Sequence, residues 1–145
     1  MASSVRFAVI TPGGIKFEGR AELVVAPGAA GDLGALPNHA PMLTTLRVGI
    51  VRANVVDSGA GEGKSAAQRL ELAVNGGFMQ ILPESVVVLT DVALAAADVD
   101  RDAVAAQLRR AEEDLAAKHG SDDAPERRAL AWANAQLEVA HRPNV

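Results

Sequence analysis

Cysteine and tyrosine are absent from the 145 residues, and the remaining aromatics are three Phe and one Trp. The lack of cysteine excludes disulfides, thiolate metal sites and a cysteine nucleophile. With aromatics at 3%, a core has to rest on Val, Ile and Leu. Lys and Arg number 14 against 18 Asp and Glu, a net charge of −4. That balance denies the chain the cationic field a general nucleic-acid binder needs. No apolar run approaches the roughly 20 residues that span a bilayer. The first residues lead straight into an alternating segment, without the basic and long apolar regions of a signal peptide. The expectation is a chain in a reducing cytoplasm that meets a membrane only indirectly, through partners.

Hydrophobic residues make up 49% of the sequence, but after residue 92 many are alanines, which bury little area each. Residues 1–92 read as strands and turns. Residues 5–10 form a short β-rich run that ends at Thr11-Pro12-Gly13-Gly14, a turn cluster. Residues 15–18 and 22–26 follow as short strands, then a Gly- and Pro-rich stretch over 27–41. Residues 43–48 and 49–56 read as two more strands. Leu70, Leu72 and Val74 alternate with Arg69, Glu71 and Ala73. Asn75-Gly76-Gly77 has the form of a hairpin turn, answered by residues 78–82 and, past Pro83-Glu84-Ser85, by 86–90. Short strands at this spacing indicate a sandwich or barrel. Residues 57–68, rich in Gly, Ser and Ala, read as a long hairpin loop.

Residues 93–145 change period. Val104, Leu108, Ala111 and Leu115 share one helical face. Asp98, Asp100 and Asp102 crowd its N-terminus, where the helix dipole favours negative charge. Arg109–Glu113 and Arg110–Asp114 are spaced as i,i+4 pairs. Gly120 is a stop signal. Asp123-Ala124-Pro125-Glu126 has the form of a capping box opening a second helix, with Leu130, Ala133, Leu137 and Ala140 as its stripe. The two helices are expected to pack as an antiparallel hairpin whose thin seams suit reversible docking on something else, the alternative being a fixed decoration of the sheet.

Catalytic and metal sites are not expected. Ser58-Gly59-Ala60-Gly61-Glu62-Gly63-Lys64-Ser65 approaches the phosphate-cradling pattern G-x-x-x-x-G-K-[ST]. Ser58, however, stands where the first glycine belongs, and the alternation that resumes by Arg69 leaves no helix whose N-terminus would hold the phosphate. His39, His119 and His141 have no evident second ligand. Glu112-Glu113 and Asp122-Asp123 fall on polar faces or helix ends, without a cleft to split their pKa values. No Gly-x-Ser-x-Gly elbow is present.

One long loop pattern is specific: Pro27-Gly28-Ala29-Ala30-Gly31-Asp32-Leu33-Gly34-Ala35-Leu36-Pro37-Asn38-His39-Ala40-Pro41-Met42-Leu43. With Val74-Asn75-Gly76-Gly77-Phe78-Met79-Gln80-Ile81, residues 86–91 and Asp98-Val99-Asp100, it resembles the epsilon subunit of bacterial F-type ATP synthase (delta in mitochondria), in order along essentially the whole chain. The resemblance implies a mainly β, α+β protein: a ten-stranded β-sandwich over residues 1–92 and a two-helix hairpin over 93–145. It implies a non-catalytic rotor subunit without a cofactor, at the cytoplasmic face of the cell membrane. Its body is then expected to bind the gamma subunit and the polar loops of the c-ring, coupling a proton gradient to ATP synthesis. Its helices, when extended, are expected to reach the alpha and beta subunits as a mild brake on hydrolysis.

The resemblance also carries over single positions. Thr11 and His39 match positions at the gamma contact, and Asp32 an acidic position facing the c-ring. Where relatives that bind ATP carry an arginine and an alanine, this chain has Ala103 and Val104. Leu94 replaces a glutamate, and Trp132 and Gln136 replace arginines, leaving Asp100 and Arg110 as remnants of the motif. Phosphate recognition depends on such cations, so weak or absent ATP binding is expected. The competing readings are a free-standing β-sandwich adaptor and a small P-loop nucleotide-binding protein.

Overall fold

The protein was analysed as a computed structural model that describes residues 4–57, 68–118 and 122–141. The strands are β1 (Val5–Thr11), β2 (Gly14–Gly28), β3 (Gly31–Ala35), β4 (Met42–Asp57), β5 (Gln68–Leu82), β6 (Ser85–Leu89) and β7 (Ala93–Leu94). A short 3-10 turn (Ala96–Asp98) leads to α1 (Arg101–Ala117) and α2 (Ala124–Ala140). Five strands close on themselves in the order β1-β6-β5-β4-β2, with β2 returning to β1. β3 pairs with the far end of β2, and β7 with β5. The β1–β6 ladder is parallel and the others are antiparallel.

Seven strands are present among the described residues rather than the expected ten. Ten is the number that the resemblance implies; among the strands read from the residues themselves, three pairs run on where the sequence suggests breaks. Residues 15–18 and 22–26 belong to the single strand β2, and residues 43–48 and 49–56 to β4. Asn75-Gly76-Gly77 is not a hairpin: β5 passes through it while staying paired to β4, with Thr45 opposite Phe78 and Val48 opposite Asn75.

What the glycines do there is turn a corner. Leu72 and Val74 point into the core before the bend, and Met79 and Ile81 after it, so the inward-facing parity switches. β4 switches with it, from Leu46 to Val51, Ala53 and Val55. Gly76 and Gly77 have φ of 82° and 123°, a region that favours glycine. A Cβ on Gly77 would lie 2.1 Å from the Leu89 carbonyl oxygen. The bend lets the same two strands serve both layers of the sandwich.

The core is the inward set of every strand: Val5, Phe7 and Val9 of β1, Val24 of β2, Val86 and Val88 of β6, together with the residues just named. Phe7 and Phe17 stack tilted, with ring centroids 5.6 Å apart. The aliphatic core follows from the aromatic poverty of the chain.

The two helices form as the 3.6-residue pattern predicts. Asp100 caps α1, its carboxylate accepting the Ala103 N–H at 3.2 Å. Val104 and Ala111 are buried on its inner face. The capping box expected at α2 does not form. Asp122 instead accepts the Ala124 N–H at 3.0 Å, and Asp123 pairs with Arg127 at 2.8 Å. Neither Arg109–Glu113 nor Arg110–Asp114 closes into an ion pair; these side chains are exposed and solvated. α1 lies against α2, and α2 against β4 and β5. Ala135 and Val139 of α2 pack on Ala73 of β5, flanked by Val48, Ile50, Val99 and Trp132. The arm is therefore folded onto the outer face of one layer. Neither helix is long and apolar enough to cross a membrane.

Candidate functional site

The other layer carries the most informative surface. Because Phe7, Val9, Met79, Ile81, Val86 and Val88 face inward, the residues between them must face out. Register aligns these outward residues into two rows. One runs Leu43, Gln80, Val87, Ala8; the next runs Thr45, Phe78, Leu89, Ile10. Leu43 is 71% exposed, Phe78 51% and Leu89 47%. Leu82 extends the patch at one end, and Ile15, opposite Ile10, at the other. A contiguous apolar face of this kind marks a protein-contact site rather than a solvated sheet. A shallow groove over Arg6, Ala8, Glu18, Arg20, Ser85 and Val87 continues it onto β2.

Thr11 and His39 sit at opposite ends of this face. Thr11 closes β1, its hydroxyl donating to the Gly14 carbonyl at 3.1 Å and holding the tight turn. A groove beside it is lined by Phe78, Leu89 and Asp91. His39 lies past the other end of the β1–β6 ladder, in a loop tied to the β5–β6 turn by Asn38 N–H to Pro83 O at 2.9 Å. Asn38 adopts a left-handed φ of 67°, which asparagine tolerates. His39 Nδ1 is 2.7 Å from the Ala40 carbonyl, so Nδ1 is the donor of that bond. The five-residue β1–β6 ladder lies between the two positions.

Asp32 stands apart, on β3, and it is not bare. Arg47 reaches it at 2.6 Å and Arg52 at 3.5 Å. Arg47 also donates to the Gly28 carbonyl at 2.5 Å, so the tight β2–β3 connection is pinned to β4. Sequence reading missed both arginines, which lie far along the chain from Asp32 and carry no local signal. Beside Arg52 in the sheet, Glu71 is buried and paired with Arg69 at 3.0 Å.

The remnant nucleotide positions do not converge. Asp100 is spent on the α1 cap. Arg110 is exposed on the outer side of α1. Leu94 is in β7. Trp132 packs beside Ala73, and Gln136 is buried, its amide donating to the Trp132 carbonyl at 3.4 Å. Ala103 is exposed and Val104 buried in the helix seam. The Gly-Lys-Ser segment and His119 lie outside the described residues. Glu112 and Glu113 are exposed on α1, and His141 is the exposed C-cap of α2. Among the described residues no three His, Asp or Glu gather as a metal site.

A bent β-sandwich with one bare apolar face and a helical hairpin folded on the other define a protein-docking module. Comparison with known proteins gives the family. Residues 4–96 match the family described as ATP synthase, Delta/Epsilon chain, beta-sandwich domain. The chain is 37% identical over 123 residues to the ATP synthase epsilon chain of Desulforamulus reducens, covering 85% of this chain and 86% of that one. It is 37% identical over 140 residues to the epsilon chain of Chromobacterium violaceum, covering 94% and 93%. The chain belongs to the ATP synthase delta/epsilon family, as an epsilon subunit. Its fold also matches a chain in the Euglena gracilis mitochondrial ATP synthase (OSCP/F1/c-ring), with a TM-score of 0.77 at 17% identity over 98% of this chain and 84% of that one. A chain of the Tetrahymena thermophila mitochondrial ATP synthase central stalk and c-ring matches at a TM-score of 0.54 and 11% identity, over 94% and 93%.

Proposed function

We propose that the chain is a non-catalytic rotor subunit of the central stalk, joining gamma to the c-ring while a proton gradient drives ATP synthesis. The body, residues 1–92, docks on gamma through its bare sheet face. Thr11 and His39 supply polar contacts at the two ends of that face. The β2–β3 tip with Asp32 meets the polar loops of the c-ring. The complex sits peripherally at the cytoplasmic face of the cell membrane, and this subunit touches no lipid itself.

The observation that carries this reading is the apolar face. Leu43, Phe78 and Leu89 lie on rigid strands, already ordered, so little side-chain freedom is lost on docking. The class of assembly follows from the family; the choice of face follows from exposure. The arm, residues 93–145, serves as a mild brake on hydrolysis by swinging to the alpha and beta subunits. Its second helix has few free cations for acidic partners: Arg127 is held by Asp123, leaving Arg128 beside Trp132. The scattered remnants Asp100 and Arg110 support weak or absent ATP binding.

The test is co-purification with isolated gamma. The chain is expected to form a one-to-one complex, and Leu43→Asp with Phe78→Asp to abolish it while the body still folds. Failure of the unaltered chain to bind gamma overturns the reading and favours a free-standing adaptor.

A further inference from the structure

We propose that Arg101 is the latch that holds the helical arm closed. It is the first residue of α1, and its guanidinium crosses the open end of the hairpin to donate to the Ala140 carbonyl in the last turn of α2. The contact is partly buried. The last turn of a helix leaves carbonyls without intrahelical donors and carries partial negative charge. α2 has no basic residue of its own in that turn. Arg101 supplies the missing cation from the neighbouring helix.

The placement is informative because it opposes the interest of α1. A cation on the first helical residue faces the positive end of that helix's own dipole. Asp100 and Asp102 flank it and offset the penalty. Arg101 is therefore favourable only while the α2 C-terminus lies beside it, and unfavourable to α1 once the helices part. That makes it a group that distinguishes closed from open.

The rest of the seam is weak enough for one charge-assisted hydrogen bond to matter. α1 buries only Val104 and Ala111. At the connected end of the hairpin, Lys118 reaches Glu126 at 3.4 Å, a tie that does not depend on the open end. At the hinge, Lys16 of β2 holds Asp98 at 3.0 Å, anchoring the connector but not the helices to each other. Among the contacts between described residues, Arg101 to Ala140 is one that joins the free ends of the two helices.

The latch is read on the isolated chain, by amide hydrogen exchange of Arg101→Ala. Exchange of the α1 and α2 amides is expected to accelerate roughly tenfold, with the core amides of β1, β5 and β6 unchanged. Alanine has the higher helix propensity, and losing the cation relieves the α1 N-terminus. A residue that merely belonged to its own helix would thus leave exchange in α1 unchanged or slower. Arg101→Lys keeps the charge and should recover part of the protection, and Arg101→Gln less. Unchanged exchange in the arm, or acceleration spread equally through the sandwich, overturns the proposal.

The consequence for the brake rests on the proposed function. In the assembled synthase, Arg101→Ala should lower ATP hydrolysis by favouring the extended arm. If the arm opens in isolation and hydrolysis does not change, the latch stands and the brake reading fails.

Discussion

Phe78 of β5 and Leu89 of β6 sit directly opposite each other across an antiparallel ladder, both pointing out of the sandwich and both about half exposed. Such a pair on a free sheet is normally turned inward or flanked by charge. Here Ile10 and Thr45 continue the row on either side. Replacing Phe78 with Asp is expected to weaken binding to gamma by at least about 2 kcal/mol, as for an aromatic anchor. The melting temperature of the free chain should change little. Calorimetric titration and a thermal melt on the same sample separate the two effects.

Gly77 is held at a positive φ and is pressed against the Leu89–Thr90 backbone. Gly77→Ala is expected to destabilise the body by about 3 kcal/mol or more, since both strain and clash act on one position. Urea unfolding followed by Trp132 fluorescence and by far-ultraviolet circular dichroism measures it. Gly14, also at positive φ but with open space around its Cβ position, should be the milder substitution.

Lys16 holds the Asp98 carboxyl below its ordinary pKa of 3.8, helped by the Ala95 N–H. Because the folded-state pKa is depressed, this stabilisation is present above pH 3.8 and is lost as pH falls through the folded value. Both side chains are more than a third exposed, and solvent screening keeps the effect under about 1 kcal/mol. Asp98→Asn should therefore melt slightly lower than the unaltered chain at pH 7. The two melting temperatures should converge on acidification below the pKa. A constant difference down to pH 2.5 would falsify the assignment.

Asp32→Ala removes the partner of Arg47 and Arg52 at an exposed site. Its effect on stability should stay below about 1 kcal/mol, because Arg47 keeps its bond to Gly28. Its effect on the assembly should be larger. Membrane vesicles carrying the variant are expected to release more F1 in a low-salt wash than the unaltered complex does. Equal retention would argue against the c-ring role for this tip.

The loop pattern around Asp32 and His39, the alternation of Leu70, Leu72 and Val74, and the helical stripe of Val104 and Ala111 were all legible in the sequence. Each is a local periodicity or a run of specific residues, and local signals survive without a structure. The strand count was not legible. Asn75-Gly76-Gly77 looks the same whether it reverses the chain or bends it, because both uses need left-handed glycines. What decides is the continued pairing to β4, a contact distant in sequence. The second apolar face of α2 was also hidden: Ala135 and Val139 sit off the Leu130–Leu137 stripe and acquire meaning only with Ala73 beneath them. The arginines on Asp32, and Arg101 on Ala140, are tertiary pairings that no spacing rule announces.

The corner in β4 and β5 has a mechanical meaning. The parts of β4 and β5 that present Leu43 and Phe78 and the parts that seat α2 at Val48, Ile50 and Ala73 belong to the same two paired strands, with no loop between them. Twisting one end of such a stiff pair loads the other directly. On the proposed docking to gamma, a twist applied at the bare face would load the base of the arm through this one strand pair, as along a bent crankshaft.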